Sequence, residues 1–303
     1  MSSTAPAVLG PRPGDEPEGA VEHRVRRPLS DRLLGVWGVL VMLFLFAPII
    51  VIVLYSFNTG RLLISWEGFG LDAYLAILDK PAIQNAVWVS LRSGAISALL
   101  ATLIGTLAGV ALARRPGSWA AWFIGILLLV TVTPEIVDAV SLLPWLVFLG
   151  QDLGMGIFND GIVRLVVGNS AFSIAVVSYI VRARLVGIDE SLEEASADLY
   201  ATPIRTFRRI TLPLVMPAVL ASGLLAFTLS LDNTVIASFV QVSGATPWPV
   251  YLLSAVRSGL RPEVAAVSTL MLLLTLLVLG IVALVLKRSG DSATDIARTM
   301  AGG

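Results

Sequence analysis

The sequence predicts an all-α, polytopic membrane protein with six transmembrane helices. Composition is the first reason. Of 303 residues, 56% are hydrophobic and only 14% are charged, whereas a soluble domain of this length carries about a quarter charged residues. The second is six apolar runs, each near the ~20 residues needed to cross ~30 Å of hydrocarbon. The third is that Arg and Lys gather in alternate connecting segments, the asymmetry that orients a membrane protein. A backbone inside lipid must satisfy its own hydrogen bonds, so the apolar runs are read as helices.

Residues 1–30 are rich in Pro, Gly, Glu and Arg and lack apolar periodicity, so a disordered cytoplasmic tail is expected. They contain no apolar core of a cleavable signal peptide. The first apolar run covers 35–57. In the loop that follows, Leu71, Tyr74, Leu75 and Leu78 recur at i, i+3, i+4 and i+7, with Trp66 and Phe69 just ahead. That pattern predicts a short helix, either lying in the outer interface or packed as a lid on the bundle. The second run, 88–112, carries Ala101, Gly105 and Gly109 at four-residue intervals, small residues that let helix backbones approach closely.

The third run, 119–142, is interrupted by Pro134, Glu135 and Asp138 and followed by Pro144, which predicts a break or an early end. The fourth, fifth and sixth runs cover 161–181, 214–236 and 265–286, and residues 289–303 form a second polar tail. Arg24, Arg26, Arg27 and Arg32 precede the first run, and Arg114 and Arg115 follow the second. Arg182, Arg184, Arg205, Arg208 and Arg209 lie between the fourth and fifth, and Lys287 and Arg288 follow the sixth. These segments share one side, so both termini are expected to be cytoplasmic. The opposite loops are less basic; they hold Arg61 and Lys80, then Asp152 and Asp160, then Arg257, Arg261 and Glu263.

The longest polar connector, 185–213, begins acidic and ends basic. Ser191 and Glu194 have the spacing of a capping box, and Asp189, Glu190, Glu193 and Glu194 crowd a first helical turn where the helix dipole favours negative charge. Thr202 and Pro203 suit the cap and first position of a second short helix, on which Arg205, Arg208 and Arg209 share a face. By itself this is an amphipathic connector. The spacing adds more. Glu194, Ala195, Ile210, Leu212 and Pro213 resemble the EAA loop of ABC-type importer permeases, Glu-Ala-Ala-x3-Gly-x9-Ile-x-Leu-Pro. Ser196 replaces the second Ala, and Tyr200 stands where that loop has Gly.

The resemblance implies the type I ABC importer permease fold over residues 35–288 and a bacterial cytoplasmic (inner) membrane location. It also implies separate ATPase subunits docking on 185–213, with Glu193, Glu194, Ala195, Tyr200, Arg205, Ile210, Leu212 and Pro213 as the coupling residues. A second permease subunit, in a heterodimer, and an extracytoplasmic solute-binding protein complete the assembly it implies. Leu54-Tyr55-Ser56-Phe57-Asn58, Trp66-Glu67-Gly68-Phe69, Gly105-Thr106-Leu107-Ala108, Arg182-Ala183-Arg184-Leu185 and Ser230-Leu231-Asp232-Asn233 are similar to the spermidine/putrescine permeases. A polyamine cargo follows from that likeness. Relatives that carry amino-acid derivatives, phosphonates or ferric ion share these stretches.

Glu135, Asp138 and Asp232 are the acidic residues in or beside the apolar runs. A charge at that depth faces a cavity or a partner. They read either as an anionic path for a cationic solute or as helix-end solvation and ion pairing, with Arg92 a candidate partner. Other classes are poorly served. Glycine-rich phosphate loops end Gly-Lys-Ser/Thr, and neither Lys80 nor Lys287 sits in one. There is no Cys, and the single histidine, His23, lies in the tail, so no metal site, cofactor or catalytic His/Cys pair is expected. No nucleic-acid partner is expected either, because the net charge is zero and the basic residues sit at the ends of apolar runs. A channel or ion-coupled carrier would show mid-membrane charge pairs or inverted repeats, which the sequence lacks.

The cysteine-free chain makes the orientation testable. An impermeant thiol reagent applied to intact cells should label a cysteine at position 152 and leave one at position 205 unlabelled. The opposite pattern would invert the topology.

Overall fold

The computed structural model describes residues 29–114 and 117–288. The two expected tails, with His23 and the basic residues before Pro28, lie outside the described residues, as do Arg115 and segment 289–303. The described chain is almost wholly helical: α1 (Leu29–Tyr55), α2 (Asp72–Ala76), α3 (Pro81–Arg114), α4 (Ser118–Val132), α5 (Glu135–Val147), α6 (Gly161–Val186), α7 (Ser191–Asp198), α8 (Pro203–Thr206), α9 (Leu212–Asp232), α10 (Val235–Val240), α11 (Trp248–Ser258) and α12 (Pro262–Arg288). Leu33–Tyr55, Pro81–Arg114, Gly161–Val186, Pro203–Asp232 and Pro262–Val285 are long and apolar enough to cross a membrane, and α4 with α5 forms a bent pair that makes a sixth if the two parts are one broken span rather than a re-entrant loop.

Residues up to Ile50 separate as a unit of their own. Within it, α1 is apolar on every side and its side chains from Leu33 onward are exposed. The described residues from Val51 onward form the second compact unit.

The core of that second unit is the packing of α3 against α6, with α9 laid over both. Gly105 and Gly109 create the contact. A β-carbon at Gly105 would lie 2.7 Å from Cβ of Val177, and one at Gly109 would lie 2.8 Å from the backbone oxygen of Ser178. Missing side chains therefore let two backbones touch, as the small-residue spacing predicts. Ala98, Ala101, Val177, Val181, Leu185, Val215, Val219 and Ala226 fill the space among the three helices. A second cluster joins α5, α6 and α10 through Ala139, Leu146, Leu165, Ile236 and Val240.

The third apolar run does not form one helix over 119–142. It breaks after Val132, and the two parts meet at 104°. Pro134 explains the break. The residue before a proline is driven out of the helical region, and Thr133 is extended (φ −61°, ψ 129°). Its hydroxyl turns back and donates to the Leu129 carbonyl at 2.6 Å, satisfying the end of α4. The fifth run also departs from expectation, at both ends. α8, a π-helical turn (Phe207–Thr211) and α9 follow one another without interruption as a single helix from Pro203. That helix stops at Asp232, short of the expected residue 236, because Asn233 is extended and its Oδ1 accepts the Ile236 amide (3.0 Å) to open α10.

The outer loop folds back on itself. Asn58 is fully buried; its amide donates to the Ser65 carbonyl, and its Oδ1 accepts the amides of Gly60 and Glu67. Phe57 stacks on Phe69, and Tyr55 meets Trp66 edge-on. The expected short helix is α2, continued by a tighter turn to Asp79. Leu71, Leu75 and Leu78 are exposed on it, whereas Tyr74 turns inward and its hydroxyl lies 2.8 Å from that of Ser56. Lys80 forms an ion pair with Glu263, tying the start of α3 to α12.

Gly109 has backbone rather than a flexible side chain facing it, so it tests the α3–α6 contact. Gly109→Val should destabilise the protein by about 1–3 kcal/mol through overpacking. Gly125→Val, at a position with nothing within 4 Å, should match the parent. Thermal unfolding of the purified protein in detergent reads both. Equal losses would show that α3 and α6 do not need this approach.

Candidate functional site

The connector after α6 is a built structure rather than a loose loop. α6 ends at Gly187, and the Ile188 amide returns to the Leu185 carbonyl. The expected capping box is absent. Ser191 is already the first residue of α7, and Asp189 caps it, Oδ1 accepting the Ser191 amide at 3.0 Å. This contact holds the Asp189 carboxyl below the usual carboxylate range. The Glu194 amide, which the box would have paired with Ser191, bonds the Glu190 carbonyl instead.

Glu193 is the centre of the loop. Its Oε1 accepts from Arg114 Nε (3.0 Å) and from the Thr211 hydroxyl (2.8 Å). The same guanidinium reaches Glu190 (3.1 Å) and the Ile188 carbonyl (3.3 Å). One arginine at the end of α3 thus joins the exit of α6, the start of α7 and the entry to α9. The Arg114 side chain is only 10% exposed and that of Glu193 24%, so their bond is partly sheltered from water and salt, whereas the one to Glu190, 63% exposed, is not. Glu194, one residue on, is exposed and makes no side-chain hydrogen bond or ion pair among the described residues. Ser196 is buried and its hydroxyl lies 2.8 Å from that of Thr206, linking α7 to α8. An alanine there could not make that link.

Tyr200 occupies the turn between α7 and α8 with φ +58°, the left-handed region. Its amide donates to Ala197 and the Ala201 amide to Ser196, the paired bonds of a Schellman close. The backbone therefore keeps the shape that the EAA pattern assigns to glycine, at a cost of about 1–2 kcal/mol for a residue with a β-carbon. Pro203 opens α8 with Thr202 at the cap position, although the Thr202 side chain makes no capping bond.

These turns leave an apolar ridge in water. Leu199 is 82% exposed, Tyr200 97% and Ile204 80%. Ala195 is exposed beside it, and Arg205, Arg208 and Arg209 flank it, all exposed. Ile210 and Leu212 are half-buried, and exposed Pro213 follows the π-helical turn. Proline at 213 has no amide and crowds the carbonyl four residues back. In the wider turn, the Leu212 amide reaches instead to the Phe207 carbonyl.

The acidic residues near the apolar runs do not converge. Glu135 is exposed in the first turn of α5. Asp232 is exposed at the end of α9. Asp138 is half-buried and lines a cavity of about 330 Å³ between α5 and α6, which neither of the others enters. No ion pair joins Arg92 to any of the three among the described residues. The sequence reading missed Arg114 and Thr211 as partners of Glu193, and their separations of 79 and 18 residues explain why.

Tyr200→Gly should leave the turn as stable as the parent or up to about 1 kcal/mol more so, since relief of strain opposes added chain entropy. Tyr200→Val should destabilise it by about 1 kcal/mol or more, because a β-branched residue is worst at positive φ. Hydrogen exchange of the Ala201 amide reads the closing bond directly. It should quicken in the Val variant alone; equal exchange in all three proteins would contradict the strain.

Among known proteins, the chain is 39% identical over 244 residues to the putrescine transport system permease protein PotI of Escherichia coli K12, covering 78% of this chain and 85% of that one. It is 37% identical over 233 residues to the spermidine/putrescine transport system permease protein PotC of the same strain, covering 77% and 86%. Among solved structures, a bacterial ABC transporter that imports alginate superposes with a TM-score of 0.64 at 16% identity, over 86% of this chain and 94% of that one. The inward-facing MetNI methionine transporter superposes with a TM-score of 0.57 at 20% identity, over 67% and 94%. These two show the type I ABC importer permease fold. The profile described as "binding-protein-dependent transport system inner membrane component" matches residues 101–292, which include the ridge and its Arg114–Glu193 brace. The chain belongs to that family of inner membrane transport components.

Proposed function

We propose that this chain is one of two permease subunits of an ATP-driven polyamine importer, and that its 185–213 connector is the seat of an ATPase subunit. The observation that supports the docking role most is the exposed Leu199–Tyr200–Ile204 ridge held on a braced scaffold. An apolar ridge with a basic flank is unfavourable in free solution and suits an acidic-rimmed groove on a soluble partner. A push on the ridge is carried to α3 through Arg114 and to α9 through the continuous helix, so the ATPase moves packed helices as rigid bodies. The connector then lies on the cytoplasmic side, and the outer loop with Asn58 faces an extracytoplasmic binding protein. ATP hydrolysis belongs to the partner, because this sequence contains no phosphate-binding loop.

The polyamine cargo rests on the names of PotI and PotC, both well above the identity at which only fold is shared. The alginate and methionine transporters contribute fold alone and favour no other cargo. In this reading the carboxylates near the apolar runs offer weak, successive acceptors to a cation, as a conducting path requires.

The docking role separates two neighbouring carboxylates. Glu194→Lys should sharply lower ATPase co-purification and uptake, with thermal stability unchanged. Glu193→Ala should instead cost about 1–3 kcal/mol of stability, by leaving the Arg114 and Thr211 donors short of an acceptor. Identical behaviour of the two variants would reject the division. Labelled putrescine and spermidine uptake, in a strain without other polyamine importers and supplied with the full transporter, tests the cargo. Absence of uptake would reject the polyamine assignment.

A further inference from the structure

The cavity between α5 and α6 has the chemistry of a small-molecule site. Its volume of about 330 Å³ lies within the ~300–1,000 Å³ range of ligand pockets. Asp138, Ser141 and Trp145 fall at i, i+3 and i+7 on one face of α5 and all line it. Opposite them, α6 offers Gly168, Ala171 and Phe172. Gly168 lets α6 pack closely against α5 and α10 beside the cavity. A β-carbon there would lie 2.5 Å from Ile236 and 3.3 Å from Leu142. Trp145 is held by stacking on Phe148, with centroids 5.8 Å apart and planes at 25°.

The polar content of this cavity is narrow. Asp138 is the only charged residue in the lining, and its carboxylate makes no hydrogen bond or ion pair among the described residues. Ser141 donates its proton to the Val137 carbonyl at 2.6 Å, so its oxygen faces a ligand as an acceptor. One carboxylate, one accepting hydroxyl and two aromatic faces exclude an anion by repulsion. They do not suit a bare divalent ion, for want of the six or more oxygen ligands it prefers. They suit a primary ammonium group, which pairs with a carboxylate and rests against a ring face within about 6 Å, followed by an apolar alkyl chain.

We propose that Asp138, Ser141, Trp145 and Phe172 form a transit site for one ammonium end of an alkyl amine in this subunit. The proposal deepens the polyamine reading and rests on it for the identity of the amine. Asp138 binds the ammonium, Ser141 accepts a second of its protons, and Trp145 and Phe172 cover the first methylenes. The open mouth of the cavity keeps the hold brief, so cargo passes on. Glu135 and Asp232, outside this cavity, have no part in it.

The test uses the assembled transporter in proteoliposomes, with cysteine-free partners, its binding protein and putrescine as the probe. Asp138→Asn should lower the maximal uptake rate by about tenfold or more, the loss of a charge-assisted bond. The concentration of loaded binding protein giving half-maximal rate should stay the same, since docking lies elsewhere. Asp138→Glu should recover part of the rate. Independently, millimolar putrescine should slow labelling of Ser141→Cys by a small neutral thiol reagent while Asp138 is present, and should not do so beside Asp138→Asn. This second arm needs no transport, and its protection measurement in the Ser141→Cys protein is made with Asp138 intact. Normal uptake by Asp138→Asn, or no protection of the cysteine at 141, overturns the site even if the parent imports polyamines. If the parent imports none but putrescine still protects the cysteine, the site stands as an amine site and the importer reading falls.

Discussion

The close approach of two helix backbones governs the arrangement of this protein. α3 and α6 touch where Gly105 and Gly109 present no side chain, and the third helix of the core, α9, packs across the pair. Between membrane helices there is no hydrophobic drive of the kind that collapses a soluble core, since lipid tails are as apolar as leucine. Contact must come from fit, and fit is best where backbones come nearest. Two consequences follow from the seam. At one end, it brings Arg114 beside the exit of α6, where it can hold Glu190, Glu193 and the Ile188 carbonyl. Further along, α6 has its other faces free for α5 and α10, and so borders the cavity that contains Asp138.

The connector depends on that brace in a further respect. Its turn at Tyr200 is strained, its ridge is apolar and bare, and its eight-residue α7 could not persist alone. Each of those features is unfavourable in isolation. They are held in place because Glu193, Thr211, Ser196 and Thr206 bond the segment to itself and to α3. The energy that orders the loop is thus spent in its buried half, while the exposed half is left to bind something else.

Much of this was legible in the sequence, and the limits are physical. Hydropathy marks every long helix because lipid leaves no other option for the backbone. Pro134 marks the break in the third run, because a proline disfavours helical backbone at its predecessor and removes an amide from the ladder; the 104° angle between the two parts is not given by the local sequence. The small-residue spacing in α3 predicts a tight contact without naming α6 as the partner. In the connector, motif spacing locates the turn at residue 200, and the structure gives it the backbone of a glycine. The same spacing directs attention to Glu194, yet Glu193 makes the bonds, because its partners come from distant segments. The capping box at Ser191 fails for a local reason: the S-x-x-E pattern fits, but α7 already begins at Ser191, and the Glu194 amide is taken by the Glu190 carbonyl. Of the three carboxylates singled out by charge and depth, Asp138 lines the cavity between α5 and α6 and the other two do not, which depends on tertiary packing.

The π-helical turn at Phe207–Thr211 joins the exposed ridge to α9 within one continuous helix. An α-helix advances about 100° per residue, and a π turn advances less, so this stretch shifts the azimuth of everything before it by roughly a quarter turn relative to α9. The face that Ile204 and Arg205 present and the face that Val215 and Val219 bury are therefore related by a winding number, not by sequence spacing alone. A residue gained or lost upstream of Thr211 can be absorbed by exchanging π for α winding, with the membrane half of the helix left in phase with its neighbours.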